Sequence, residues 1–233
     1  MTRAARIGVA LLCAVLAAST SAMPRKGKFP PDLAEILARM NEAAKRLKTV
    51  SANLEYTKVT VLVNDRSVEE GQFFFRKGKT PDILISIQKP DPKYISFRKN
   101  KAEIYLPKIS QAQEYNLEQS SGLVQQFLLL GFGTETGELK KSYTIKFVKE
   151  EDIGGDTCAV LELVPKDENV AAQVTKIHLW ISEESWLPIQ QQFFEPGGDY
   201  LIAKYSGVKV NRVLPSSTFR IPYKGDVKRV QMR

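Results

Sequence analysis

The chain has 233 residues, 43% of them apolar, and a formal net charge of +8. That is enough apolar material to bury a core, and with no low-complexity linker the length points to one large domain rather than two small ones. One histidine and two cysteines, one of them among the first 22 residues, leave too few ligands for a zinc site and no pair for an internal disulfide in the remaining chain.

Residues 1–22 read as a cleavable signal peptide: Arg3 and Arg6 form a basic start, Ile7 to Ala18 an apolar run too short to span a bilayer, and Thr20-Ser21-Ala22 a small-residue cleavage site. Cys13 follows Leu11-Leu12 inside that run, the wrong context for lipid attachment. Export is therefore expected, with cleavage near Ala22 and Cys158 left as the lone thiol. Residues 23–31 are a flexible basic lead without periodicity. Losing Arg3 and Arg6 leaves a charge of +6. For an exported chain this excess speaks against nucleic acid and fits an anionic membrane surface, an acidic protein or ordinary solubility.

Asp32 and Glu35 stand at capping-box spacing after Pro30-Pro31. Leu33, Ile36, Leu37, Met40, Ala44 and Leu47 then recur at helical intervals, so a helix from Asp32 to Val50 lays one apolar face on a sheet. The period then shortens. Strands are expected near 52–63, 70–77, 82–89, 93–98, 102–106, 111–117, 142–150 and 156–164, bounded by Asn64-Asp65, Lys77-Gly78-Lys79, Lys89-Pro90-Asp91-Pro92, Lys99-Asn100, Gly154-Gly155 and Pro165-Lys166-Asp167. Ser120 to Gly133 interrupts them with a segment apolar almost all round, a helix that plugs the sheet or covers a cavity, able to hinge at its glycines.

Thr175 to Lys209 supplies three more strands as a meander. Ile177, Leu179 and Ile181 alternate with Lys176, His178 and Ser182, and Pro196-Gly197-Gly198-Asp199 is a turn. Trp180 and Phe194 interrupt the polar parity, so both faces of the sheet look covered. Eleven short strands with little helix argue for a large antiparallel sheet or an incomplete barrel. Which strand parity faces the interior stays open.

Catalytic groupings are missing. His178 lies on a strand without a nucleophile elbow and reads as a structural, hydrogen-bonded histidine. Glu69-Glu70, Glu150-Glu151-Asp152 and Glu183-Glu184 sit at strand ends without calcium-loop spacing. No metal, cofactor or enzymatic activity is expected.

The capped first helix, the antiparallel run, the internal apolar helix and the block I-H-L-W-I-S-E-E-S-W-L-P-I-Q-Q-Q-F-F-E-P-G-G-D-Y resemble the LolA-like carriers of outer-membrane lipoproteins. Glu70-Gly71-Gln72, Ile104-Tyr105-Leu106-Pro107, Leu163-Val164-Pro165-Lys166 and Phe219-Arg220-Ile221-Pro222 match the same pattern. The resemblance implies a mainly β domain over residues 32–233, a half-open antiparallel β-barrel of about eleven strands closed by the first helix and a lid helix.

It also implies a monomeric periplasmic carrier whose cavity takes the acyl chains of lipoproteins released by an inner-membrane transporter, with an outer-membrane acceptor downstream. Two alternatives are a carrier of another envelope lipid such as a glycolipid, and a lipoprotein-sensing domain of the same fold. The expected lining is Phe73, Phe75, Ile83, Ile85, Ile87, Ile95, Phe97, Ile104, Ile177, Leu179 and Ile181, with Leu123, Phe127 and Leu130 in the lid. The family's lid latch is a basic residue before a proline; in this chain Arg76 or Lys79, ahead of Pro81, would have to serve.

Overall fold

A computed structural model describes residues 32–99, 101–116, 130 and 132–232. Helix α1 (Leu33–Arg46) starts where the sequence places it: the Asp32 carboxylate accepts the Ala34 N–H at 2.8 Å. Glu35 does not complete the capping box, because Arg39 one turn on takes its carboxylate at 2.6 Å. The helix stops at Arg46, short of the expected Val50. Lys77, which reads as a turn charge, donates its ammonium to the Ala44 carbonyl at 2.9 Å and so satisfies one of the free carbonyls at that end.

Two meanders follow. The first comprises β1 (Thr49–Thr60), β2 (Asp65–Arg76), β3 (Asp82–Lys89), β4 (Lys93–Arg98), β5 (Lys101–Leu106) and β6 (Gln111–Asn116). A short helix α2 (Thr136–Ser142) precedes the second, made of β7 (Tyr143–Ile153), β8 (Asp156–Pro165), β9 (Lys176–Ser182), β10 (Pro188–Phe194) and β11 (Tyr200–Val210), with the single turn α3 (Glu168–Ala171) between β8 and β9. Pairing of β1 with β11 joins the two meanders into one sheet, which with a last strand β12 (Lys228–Met232) has the order β12-β6-β5-β4-β3-β2-β1-β11-β10-β9-β8-β7.

Twelve strands form among the described residues, in line with the expectation of about eleven. Strand β12 (Lys228–Met232) lies parallel to β6. Among the described residues the sheet ends at β12 on one side and β7 on the other and does not close: the fold is an open β-barrel, mainly β as expected.

Alternation along the strands is converted by register into rows across the sheet. Val50, Phe75, Ile83, Phe97 and Ala102 are successive partners in one row, and Ala52, Phe73, Ile85, Ile95 and Ile104 in the next. These rows face inward. Farther round, Leu161, Leu179, Gln191, Ala203 and Tyr56 continue the same face. The opposite parity is covered too. Residues 211–227 cross the outer face, where Phe219 and Ile221 bury against Leu84, Tyr105 and Ala112, and Cys158, Val160, Trp180 and Ile189 form a smaller outer cluster.

Candidate functional site

Register puts all eleven expected lining residues on the inner face, and burial divides them. Ile177, Leu179 and Ile181 are fully buried beneath Ile36, Leu37 and Met40 of α1 together with Leu130 and Leu139. Phe73, Phe75 and Ile83 pack with Leu47, Phe132 and Leu187, the Phe73 and Phe132 rings 5.2 Å apart. Ile85, Ile87 and Phe97 are buried as well. Beyond them the cover thins: Ile95 and Ile104, direct partners on β4 and β5, are half-buried, as are Tyr56 and Tyr115.

One end of the inner face is polar. Tyr56 pairs with Glu69, whose carboxylate takes the Lys93 ammonium at 2.7 Å. Burial first, and then the nearby Glu69 and Glu195 charges, push the Tyr56 phenol up to about 12.

Of the expected lid, Leu123 and Phe127 lie outside the described residues. Leu130 is 1% exposed and belongs to the packed cluster under α1. Its carbonyl accepts the Gln191 side-chain amide at 2.5 Å, and the Gln191 carbonyl oxygen accepts the Tyr205 hydroxyl at 3.2 Å. Sequence reasoning passed over both residues. Gln191 is the middle of three consecutive glutamines and is 1% exposed, on the parity of Phe193.

Neither latch candidate makes this contact. Arg76 follows the inward Phe75 and so points outward; it binds Asp82 at 2.6 Å and lies over the Phe219 ring at 4.5 Å, which fastens the C-terminal crossing. Lys79 is exposed in the β2–β3 turn.

The chemistry-bearing residues serve structure. His178, on the outer face, lies 3.2 Å from Glu162 and has its ring 4.9 Å from Phe194. Cys158 is buried, and burial before all else pushes its thiol up to about 12, which leaves almost no thiolate at neutral pH. Among the described residues no group of three metal-ligating side chains forms.

Three outer-face carboxyls sit below the ordinary glutamate range. Glu162 is held there by the His178 hydrogen bond first and then by Lys176, Glu151 by Trp180 and then Lys149, and Glu114 by Arg229 and then Gln231. A carboxyl depressed in the folded state contributes stability that is complete above its unfolded pKa and lost as pH falls through its folded one. The urea midpoint is therefore expected to hold from pH 7 to about 5 and to drop below it, modestly because these partly exposed pairs are worth about 1 kcal/mol or less each. A midpoint unchanged at pH 3.5 contradicts this.

A family model described as "-like: Uncharacterized protein" matches residues 85–219. Curated proteins give no sequence match. Among solved structures the chain is similar to MucB, at 13% identity and a TM-score of 0.53, over 84% of this chain and 64% of MucB, less than two thirds of that protein. It is similar to the lipoprotein LppX of Mycobacterium tuberculosis, at 12% identity and a TM-score of 0.50, over 79% of this chain and 99% of LppX. It is also similar to a LolA superfamily protein of Nitrosomonas europaea, at 17% identity and a TM-score of 0.41, over 82% and 98% of the two chains. What is shared at these identities is the fold.

Proposed function

Since the chain belongs to the family whose model matches residues 85–219, and has an open sheet with apolar rows on its inner face, we propose that it carries the acyl chains of lipid-modified proteins through the periplasm. The observation that carries this reading is the row Ala52-Phe73-Ile85-Ile95-Ile104, apolar across five strands and passing from buried to half-buried at β4 and β5. A fatty tail entering there meets aliphatic side chains at its mouth. Each methylene taken from water stabilises the complex by about 0.8 kcal/mol, so a sixteen-carbon chain left bare is roughly 13 kcal/mol worse off than one fully enclosed. Free diffusion of an acylated protein through water is excluded on that scale.

In this reading residues 1–22 direct export, an inner-membrane transporter loads the protein, and an acceptor at the outer membrane unloads it. The deeper lining, Phe73, Phe75, Ile83, Ile177, Leu179 and Ile181, becomes reachable only if α1, Leu130 and Phe132 move off the sheet. No covalent step is involved.

The double variant Ile95→Glu with Ile104→Glu puts two carboxylates at the mouth, at two half-buried positions, Ile95 on the edge of the packed cluster and Ile104 outside it. A buried, unpaired charge costs several kcal/mol, so binding of a fluorescent fatty acid should fall at least tenfold while the circular dichroism spectrum is retained. Unchanged affinity in a folded variant removes the mouth from this face. Mass spectrometry of material extracted from the native protein then separates the cargoes: acylated protein supports the proposal, and free glycolipid alone favours a lipid carrier.

A further inference from the structure

The outer face carries a basic groove that acyl binding does not use. It lies where the C-terminal segment crosses beside the β4–β5 turn and has a volume of about 500 Å³. Phe219 and Ile221 form its buried floor, and Tyr223, 38% exposed, stands at its rim.

The charges there fall into two groups. Arg98 is engaged, its Nε donating to Asp82 at 3.1 Å on the carboxylate that Arg76 holds from the other side. Glu103 is engaged by the Tyr223 hydroxyl and by Arg229 at 3.4 Å. Lys99, Lys101 and Arg220 are exposed, and none of them forms an ion pair among the described residues. Three exposed cations around one hollow with an apolar floor, of which only Lys101 has a carboxylate, Glu114, near enough to feel its charge, suit an anion that has an organic body.

We infer that this groove docks the protein on a membrane by taking the phosphate of an anionic phospholipid headgroup. A headgroup fits better than an acidic peptide for a structural reason. β4 and β5 are interior strands hydrogen-bonded on both sides, so the groove offers no free edge to which an extended chain can add. The cations also gather at one short hollow instead of running along a track. Bound through its outer face, the protein keeps the inner face clear for a cargo or a second protein. The inference goes beyond the carrier reading and does not depend on it.

The test is cosedimentation with vesicles of phosphatidylcholine alone or with phosphatidylglycerol added. Each surface cation contributes about fivefold to binding an anionic membrane. The triple variant Lys99→Gln, Lys101→Gln, Arg220→Gln should therefore lose about 100-fold of its partitioning onto phosphatidylglycerol vesicles, with fatty-acid uptake unchanged. A control, Lys58→Gln, Lys140→Gln, Lys146→Gln, removes the same charge from exposed positions elsewhere and should retain most of the binding. The inference is overturned if the groove variant binds like the parent or if the control loses as much. It is equally overturned if the parent ignores phosphatidylglycerol while binding inorganic phosphate or a hexaglutamate peptide through these residues.

Discussion

Gly71→Ala is expected to destabilise the fold by about 3 kcal/mol or more, from the steric cost of forcing a side chain into a filled space. Gly71 pairs with Leu54 on one side and Ile87 on the other, next to a register shift between Glu70 and Gly71. A Cβ added there would lie 2.2 Å from the Ser86 carbonyl oxygen and 2.8 Å from the Ile87 Cα. These are backbone atoms of an interior strand, so no side chain can rotate away; β3 itself has to shift and with it the row that passes through Ile95 to Ile104. Where the space is open, replacing glycine by alanine stabilises a chain by about 0.4–1 kcal/mol through the unfolded state. The two accounts differ in sign. A urea midpoint at or above that of the parent would mean that the strands tolerate the wider spacing.

The same position illustrates what the amino-acid pattern discloses. Glu70-Gly71-Gln72 stands out as a motif, but only the register shows that its glycine is required by the approach of two backbones. Strand existence was legible wherever apolar residues alternate over several positions, as in Ile83-Ile85-Ile87 and Ile177-Leu179-Ile181. Which parity is interior was not, because the C-terminal segment buries Leu84 and Tyr105 on the opposite face and erases the contrast that a wet face would give.

Arg76 stands ahead of Pro81, where the resemblance implies a basic lid latch; its parity, fixed by Phe75, sends it outward to Asp82 and Phe219. The residues Lys228–Met232 carry a single half-buried apolar side chain, Val230, so their strand follows from available pairing on β6 and not from any pattern of their own. Helix α2 escaped for a related reason: in T-G-E-L-K-K-S only Thr136 and Leu139 are buried, too few to show a period.

Replacing Gln191 by leucine should cost about 2–5 kcal/mol, because it strands two buried polar groups at about 1–3 kcal/mol each. The Gln191 amide is the donor that meets the Leu130 carbonyl, and its carbonyl oxygen is the acceptor for the Tyr205 hydroxyl. Burial first, and then the neighbouring Tyr56, push the Tyr205 phenol up and keep it protonated across the physiological range, so this hydroxyl always needs an acceptor. Phe132 packs on the Tyr205 ring at 5.0 Å, and Gly133 approaches Phe75. Loss of the amide therefore loosens the place where Leu130 is held to the inner face, and uptake of a fluorescent fatty acid should rise even as the urea midpoint falls. Tyr205→Phe in the Gln191→Leu background removes one of the stranded groups and should cost less than it does alone, a coupling that a double-mutant cycle reads directly. Strict additivity would separate the two residues, and a Gln191→Leu protein with parental stability would show that water or a neighbour replaces the amide at the Leu130 carbonyl.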